Sequence, residues 1–233
     1  MSVVDVAMVG RLGTEALAAT GMGSMMFWGA LSLAIGIRTA VQTVTARRLG
    51  QGLHKESGMA LRNGLALATL YSLPTSFFVW KYSDSLARFF IEDPSATPLT
   101  TDYVSIVFTG LLFSSYSFVF QGFFTGIEKT KIHMKVTVVS NVLNVYLNAG
   151  LIYGSSGVQE FFNEQLSILS FLSYLWTWAN FPALGVKGAA IGTLISSFWM
   201  AAHYAVSLLS KQTSKRYSVF RFSFDKELSL IHI

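Results

Sequence analysis

The chain lacks cysteine and is poor in charged residues. None of its 233 residues is a cysteine, which excludes disulfides, thiolate metal sites and cysteine nucleophiles. Only 12% of the residues are Asp, Glu, Lys or Arg, against about a quarter in soluble proteins. So few charges do not cover the surface of a domain in water, and hydrophobic residues make up 52% of the chain. The composition therefore predicts a membrane protein.

Charge is missing above all from six runs of 18 residues or more. About 20 mostly apolar residues cross the hydrocarbon core of a bilayer as an α-helix. Each run is therefore a candidate membrane span, and at this length the chain is predicted to form one polytopic helical bundle. The runs are Ala16–Ile37, Asn63–Trp80, Tyr103–Ile127, Val136–Gln159, Gln165–Val186 and Gly188–Ser210.

The positions of the basic residues decide whether Gln165–Val186 is a span. If this segment lies in the membrane interface, 12 Lys and Arg residues fall on one side of the bilayer and 4 on the other, with Arg38 inside the membrane. If the segment crosses, the numbers become 8 and 8. Basic residues accumulate in cytoplasmic loops, which favours the first arrangement, and the Trp and Tyr residues of the segment suit the interfacial aromatic belt. The net charge of +5 is then explained without a nucleic-acid partner.

This arrangement predicts an all-α bundle of six membrane helices over residues 1–210. The apolar run Met1–Gly10 is too short to cross alone, so we expect the first helix to be truncated. Residues 154–186 are predicted to form an outward-facing, partly interfacial loop, and residues 211–233 a truncated basic connector. Both ends of the bundle are expected in the cytoplasm, with the helices in the inner (cytoplasmic) membrane.

Asp5 is the strongest candidate for a functional residue. A carboxylate inside a span costs roughly 2.5–3.5 kcal/mol on insertion scales, so such residues usually face a cavity and bind ions, protons or substrate. Asp5 interrupts the first apolar run and is therefore predicted to bind a coupling cation or proton. The alternative is a carboxylate that only caps or snorkels near the start of the chain.

Three asparagines form the second candidate feature. Asn141, Asn144 and Asn148 are separated by three and four residues, which places their amides on one helical face. Such a stripe faces a neighbouring helix or a wet cavity, because unmet amides are costly in lipid. Asn supplies a donor and an acceptor, so the stripe either coordinates a ligand or holds helices together.

Several other polar residues lie within predicted spans. Arg38 and Gln42 are one turn apart in the second helix and Gln121 lies in the fourth, so that together with Asn141 they are candidates for lining a cavity. Thr193 is a candidate hydroxyl in the last helix. In that helix Gly188, Gly192 and Ser196 recur every four residues, a pattern that predicts close helix packing. His54 and His133 lie among cytoplasmic basic residues and are predicted to be solvated, whereas His203 is predicted to be packed or interfacial.

The chain contains none of the common enzyme motifs. It has no pair of histidines at metal-ligand spacing, no phosphate-binding glycine loop followed by Lys-Ser or Lys-Thr, and no Gly-x-Ser-x-Gly elbow. We therefore predict neither an enzyme nor a metal centre nor a bound cofactor. Without a nucleotide-binding motif, any transport would be driven by an ion gradient, with Na⁺ or H⁺ as the coupling ion.

Five motifs in order resemble those of the multidrug and toxic compound extrusion transporters, over nearly the whole chain. The first-helix signature is Val4-Asp5-Val-Ala-Met-Val-Gly10-Arg-Leu-Gly13, followed by Leu17-Ala-Ala-Thr-Gly21. The others are Ala46-Arg-Arg-Leu-Gly50-Gln-Gly52, Gly122-Phe-Phe-Thr-Gly126-Ile-Glu-Lys-Thr130, Asn144-Val-Tyr-Leu-Asn148-Ala-Gly-Leu-Ile-Tyr-Gly154 and Pro182-Ala-Leu-Gly-Val-Lys-Gly-Ala-Ala190.

The resemblance implies one lobe of a two-lobe transporter, whose C-terminal lobe this chain lacks. It implies a cation-coupled antiporter that exports cationic amphipathic drugs or toxic compounds by alternating access. By resemblance, Asp5 is the coupling carboxylate, and Asn144 and Thr193 belong to the same site. Asn148 departs from the proton-coupled archaeal-type branch, which has an aspartate there.

Two other functions fit parts of the pattern. A flippase for lipid-linked oligosaccharides or precursors, from the same superfamily, would line its cavity with several cations, whereas Arg38 is the only clearly intramembrane one here. A non-transporting membrane scaffold would use the asparagine stripe as interhelical contacts alone.

Overall fold

The computed structural model describes residues 2–165 and 167–219, and the described residues are helical, without a β-strand. Two 3₁₀ segments, Gly10–Leu12 and Ser167–Ser173, join some of the helices. The α-helices are α1 (Ser2–Val9), α2 (Thr14–Gly50), α3 (His54–Lys81), α4 (Ser83–Phe90), α5 (Ala96–Thr109), α6 (Leu111–Gly126), α7 (Thr130–Gln165), α8 (Tyr174–Thr177), α9 (Val186–Leu208) and α10 (Lys211–Tyr217).

Three of these helices are long and apolar enough to cross a membrane: α2, α7 and α9. The consecutive helices α5 and α6 provide a fourth span if they cross as one broken segment. The predicted span Asn63–Trp80 lies in the 28-residue α3, which is not among these candidates. This helix is long enough, but its Asn, Ser, Thr and Pro residues leave it less apolar than the other three.

A glycine interrupts helix α7. Gly154 has φ 75° and ψ 166°, a non-helical conformation that divides α7 into two helical pieces. The predicted outward-facing loop 154–186 begins at this residue. The carbonyls freed at the break accept hydrogen bonds from the returning loop, because the amides of Leu184 and Gly185 donate to Leu151 and Ile152 at 2.8 and 3.2 Å.

The described helices divide into two compact units, which share several helices. The first comprises Met1–Phe27, Phe77–Gly110 and Asn141–Ser196, as far as these residues are described. The second comprises Trp28–Ser76, Leu111–Ser140 and Ser197–Ile233, with the same restriction.

The core of the second unit is aromatic. Phe123, Phe124 and Tyr204 are buried together, and the rings of Phe124 and Tyr204 stack with their centroids 5.9 Å apart. Helix α6 approaches α2 closely, since a Cβ atom at Gly122 would lie 2.5 Å from the carbonyl oxygen of Arg38. This backbone contact requires glycine at position 122.

Part of the predicted connector 211–233 also packs into the second unit. Tyr217 at the end of α10 is 3% exposed and lies edge-to-face against Phe123. The side chain of Arg62 donates a 2.7 Å hydrogen bond to the carbonyl of Ser218. Residues 220–233 lie outside the described residues. The prediction that 1–210 and 211–233 form separate parts of the chain stays a prediction.

Candidate functional site

Asp5 lies in α1 and is buried within the first unit, with 1% of its surface exposed. Its two carboxylate oxygens accept hydrogen bonds from different helices. The side-chain amide of Asn148 on α7 donates to Oδ1. The hydroxyl of Thr193 on α9 donates to Oδ2 at 3.1 Å. The structure thus brings together three polar residues that stand out in the sequence.

Asn144 lies one turn before Asn148 on α7 and is fully buried. Among the described residues, neither its side-chain nitrogen nor its side-chain oxygen has a hydrogen-bond partner, and the side-chain oxygen of Asn148 is likewise buried without one. Buried polar atoms in native proteins are nearly always satisfied. Amide and carboxylate oxygens are the ligands that hard cations prefer.

The chemistry open to this cluster is therefore the exchange of a proton or a small cation. Each oxygen of Asp5 accepts one hydrogen bond and keeps a further lone pair, to which a proton or cation can bind. Reorienting an amide replaces its donor by its acceptor oxygen, which suits a cation. Among the described residues, no group of three or more His, Asp or Glu side chains is placed to hold a metal ion.

Close packing of α7 and α9 positions the cluster. A Cβ atom at Gly188 would lie 2.1 Å from the carbonyl oxygen of Leu151, and one at Gly192 would lie 2.1 Å from Oδ1 of Asn148. Both distances are far below any real carbon–oxygen contact. The prediction that the small residues of α9 allow close helix contact is therefore confirmed.

Tyr103 was not selected from the sequence but is a buried polar residue of the same unit as Asp5. Its side chain on α5 is 2% exposed. Its hydroxyl lies 3.1 Å from the Ser24 hydroxyl, and its ring occupies the space that a Cβ atom at Gly23 would take. A tyrosine at the first position of a charge-free run is common, so only its position in the fold distinguishes it.

The predicted cavity-lining residues do not form one group. Arg38, Gln42 and Gln121 belong to the second unit, whereas Asn141 belongs to the first, and all four are half-buried. Within the part of the chain that is described, Arg38 forms no ion pair with a carboxylate. Whether these four residues line a cavity stays a prediction.

The prediction that His133 is solvated was wrong. Its ring lies 2.7 Å from the amide nitrogen of Gln121 and 2.5 Å from the hydroxyl of Tyr204. These partners come from α6 and α9, which the local sequence does not reveal. His54 is half-buried, and its ring lies 3.3 Å from the guanidinium of Arg216 in an exposed contact, so its predicted solvation stays a prediction.

A surface cleft of about 280 Å³ lies in the first unit between α4 and the start of α5. The hydrogen bond from Arg88 to Asp84, 2.9 Å long, holds the pKa of the Asp84 carboxyl below its usual value. The cleft is thus built around an exposed ion pair, unlike the buried carboxylate of Asp5. It is lined by Asp84, Arg88, Pro94, Thr97, Pro98, Thr101 and Asp102.

Solved structures share this fold. An inward-facing multidrug resistance transporter of the MATE family, in the MOP superfamily, superposes with a TM-score of 0.77 over 97% of this chain and 45% of its own, at 23% identity. A MATE structure in the bent conformation gives a TM-score of 0.78 at 24% identity, over 97% of this chain and 45% of that chain. The fold of this chain is therefore that of one lobe of these structures.

The sequence places the chain in the same group. The MatE family model matches residues 1–149, and the chain belongs to this family of multidrug transporters, as its motifs predicted. The probable multidrug resistance protein NorM of Photorhabdus laumondii is 30% identical over 99% of this chain and 46% of its own length. The corresponding protein of Synechocystis is 24% identical over 93% and 42%. The chain thus spans less than half the length of these relatives.

Proposed function

We propose that the chain is the first lobe of a cation-coupled antiporter that exports cationic, amphipathic compounds. The observation that carries this proposal is the buried Asp5 carboxylate, which α7 and α9 supply with one hydrogen-bond donor each. A carboxylate buried among membrane helices is expensive and is typical of ion and proton pathways. The names of the relatives, probable multidrug resistance proteins, support export of drugs.

In this proposal Asp5, Asn144, Asn148 and Thr193 form the coupling site. A proton or Na⁺ entering the site neutralises the single carboxylate and releases its hydrogen bonds to α7 and α9. Since α1 is tied to these helices through Asp5, loss of the contacts frees α1 to move. A second tie, the hydrogen bond from the Tyr153 hydroxyl to the Met8 carbonyl, holds the end of α1. Movement of α1 would then change the cavity that holds the substrate.

Alternating access needs a second bundle against which this lobe rocks. We therefore propose that the active transporter contains a further helical lobe, lies in the inner membrane and keeps the basic loops of this lobe in the cytoplasm. The excess of Lys and Arg in one set of loops supports this orientation.

Replacement of Asp5 tests the coupling role. In the two-lobe transporter Asp5→Asn keeps the shape of the side chain but removes its charge, so we expect loss of Na⁺- or proton-driven efflux at normal expression. The measurement is dye efflux from vesicles under an imposed Na⁺ or pH gradient, which also identifies the coupling ion.

Asp84→Asn is the matched control, because Asp84 is an exposed carboxylate of the same unit that pairs with Arg88. This variant should keep efflux. Unchanged efflux in Asp5→Asn would remove Asp5 from the mechanism.

Each of the two alternatives predicts a different result in these experiments. A scaffold predicts that Asp5→Asn weakens assembly of the bundle, because Asp5 joins three helices, without a specific effect on ion dependence. A flippase for lipid-linked precursors would hold an anionic headgroup, for which Arg38 is the available intramembrane cation. Retained dye efflux in Arg38→Gln would favour the drug exporter.

A further inference from the structure

Gly192 on α9 lies directly against the amide of Asn148 on α7. A Cβ atom at position 192 would lie 2.1 Å from Oδ1 of Asn148 and 3.4 Å from its backbone nitrogen. Both residues are buried, so neither is free to move into open space. A side chain at 192 and the observed position of Asn148 therefore exclude each other.

The Asn148 amide is oriented by this contact. Its oxygen is turned to Gly192 and has no hydrogen-bond partner, while its nitrogen donates to Asp5. The reverse orientation would place an acceptor oxygen against the carboxylate, which is unfavourable. The missing side chain at 192 thus provides the space that the oxygen occupies when the nitrogen faces Asp5.

Gly188, one turn earlier on α9, has a different role. A Cβ atom there would lie 2.1 Å from the backbone oxygen of Leu151, so this glycine serves the approach of the two helices. At Gly192 the nearest atom belongs to a side chain that bonds to Asp5. The next residue, Thr193, donates to the other oxygen of the same carboxylate.

We propose that Gly192 is a positioning residue of the Asp5 site, and that its lack of a side chain is what lets the Asn148 amide fit between α7 and α9 and reach Asp5. Its effect on ion coupling rests on the proposed function. The positioning itself rests only on the contacts above.

The contact is tested on the purified chain in lipid nanodiscs by infrared spectroscopy. The carboxylate band of Asp5 is assigned by its loss in Asp5→Asn. In Gly192→Ala we expect this band to move as it does in Asn148→Ala, because both changes remove the same donor. Gly36→Ala is the control, since nothing lies within 4 Å of a Cβ atom there. An Asp5 band in Gly192→Ala identical to that of the unsubstituted chain overturns the proposal.

Titration of the same band with Na⁺ and with acid tests the consequence for coupling. Loss of a group that orients a ligand typically weakens ion binding by about 10- to 100-fold, and we expect Gly192→Ala to raise the Na⁺ midpoint by this factor. The double variant Asn148→Ala/Gly192→Ala should bind no more weakly than Asn148→Ala alone. Additive losses would mean that Gly192 acts through helix packing and would overturn the proposal.

The double variant also keeps the test decisive if Gly192→Ala misfolds. If Gly192→Ala alone does not fold, Asn148→Ala should restore folding by removing the atoms that collide with the new methyl group, and failure of this rescue overturns the proposal. If the Asp5 band of the unsubstituted chain responds to neither Na⁺ nor acid, the proposed function fails. The band position in Gly192→Ala still decides the role of Gly192 in that case.

Discussion

Thr193 and Asn148 reach the Asp5 carboxylate from two helices, and each contact is a hydrogen bond to a charged group. Such bonds contribute about 1.5–3 kcal/mol, more than bonds between neutral groups. These two hydrogen bonds therefore contribute to the stability of the contact of α1 with α7 and α9.

Removal of the Thr193 hydroxyl should weaken ion coupling. Thr193→Val keeps the shape of the side chain but leaves one carboxylate oxygen without its donor, so we expect the Na⁺ or proton concentration for half-maximal efflux to shift roughly tenfold. The readout is efflux by the two-lobe transporter at a series of Na⁺ and pH values. Thr193→Ser retains the hydroxyl and should behave like the original protein. A Val variant with unaltered ion dependence would exclude a role for this hydroxyl.

Residue type alone identified some residues of the candidate site around Asp5. Asp5 and Asn148 stand out because charges and amides are costly inside apolar helices. Tyr103 was missed and His133 was misjudged, since their contacts depend on partners that other helices supply. The local sequence does not show which residues of other helices they contact.

Among the secondary-structure elements, α7 contains a candidate membrane span that ends at a break in the helix. Gly154 adopts a φ/ψ combination open almost only to glycine, and the returning loop bonds to the carbonyls just before it. This arrangement sets where α9 begins and hence which of its residues face Asn148.

Substitution of Gly154 should therefore destabilise the fold. Gly154→Ala forces a side chain into a strained conformation and within 3.1 Å of Ala183, so we expect a loss of about 1–3 kcal/mol in the free energy of unfolding. The measurement is denaturant-induced unfolding of the chain in detergent micelles. Gly36→Ala, at a helical glycine with open space, should change the free energy little. Equal stability of both variants would contradict the assigned conformation.

The whole molecule is one lobe, and the chain covers only 42–46% of the length of the NorM relatives described above. A cleft that opens to either side of a membrane in turn needs two bundles. In the proposed function Asp5 binds the coupling ion within this lobe, whereas vectorial transport requires a second lobe.

Transport by the lobe alone is therefore not expected. The 233-residue chain reconstituted into vesicles should show no dye efflux above protein-free vesicles under a Na⁺ or pH gradient. The same chain joined to a second lobe serves as the positive control. Gradient-driven efflux by the isolated chain would show that one lobe suffices.

The sequence by itself determined that the chain is a helical membrane protein, which family it resembles and which buried polar residues are exceptional. These properties follow from composition, run length and residue type, all of which are local. Only the tertiary structure decided that Asp5, Asn148 and Thr193 meet, that Gly192 makes room for one of them, and that His133 is bonded. Contacts between residues of different helices depend on how the helices pack, and the local sequence pattern contains little information about this packing.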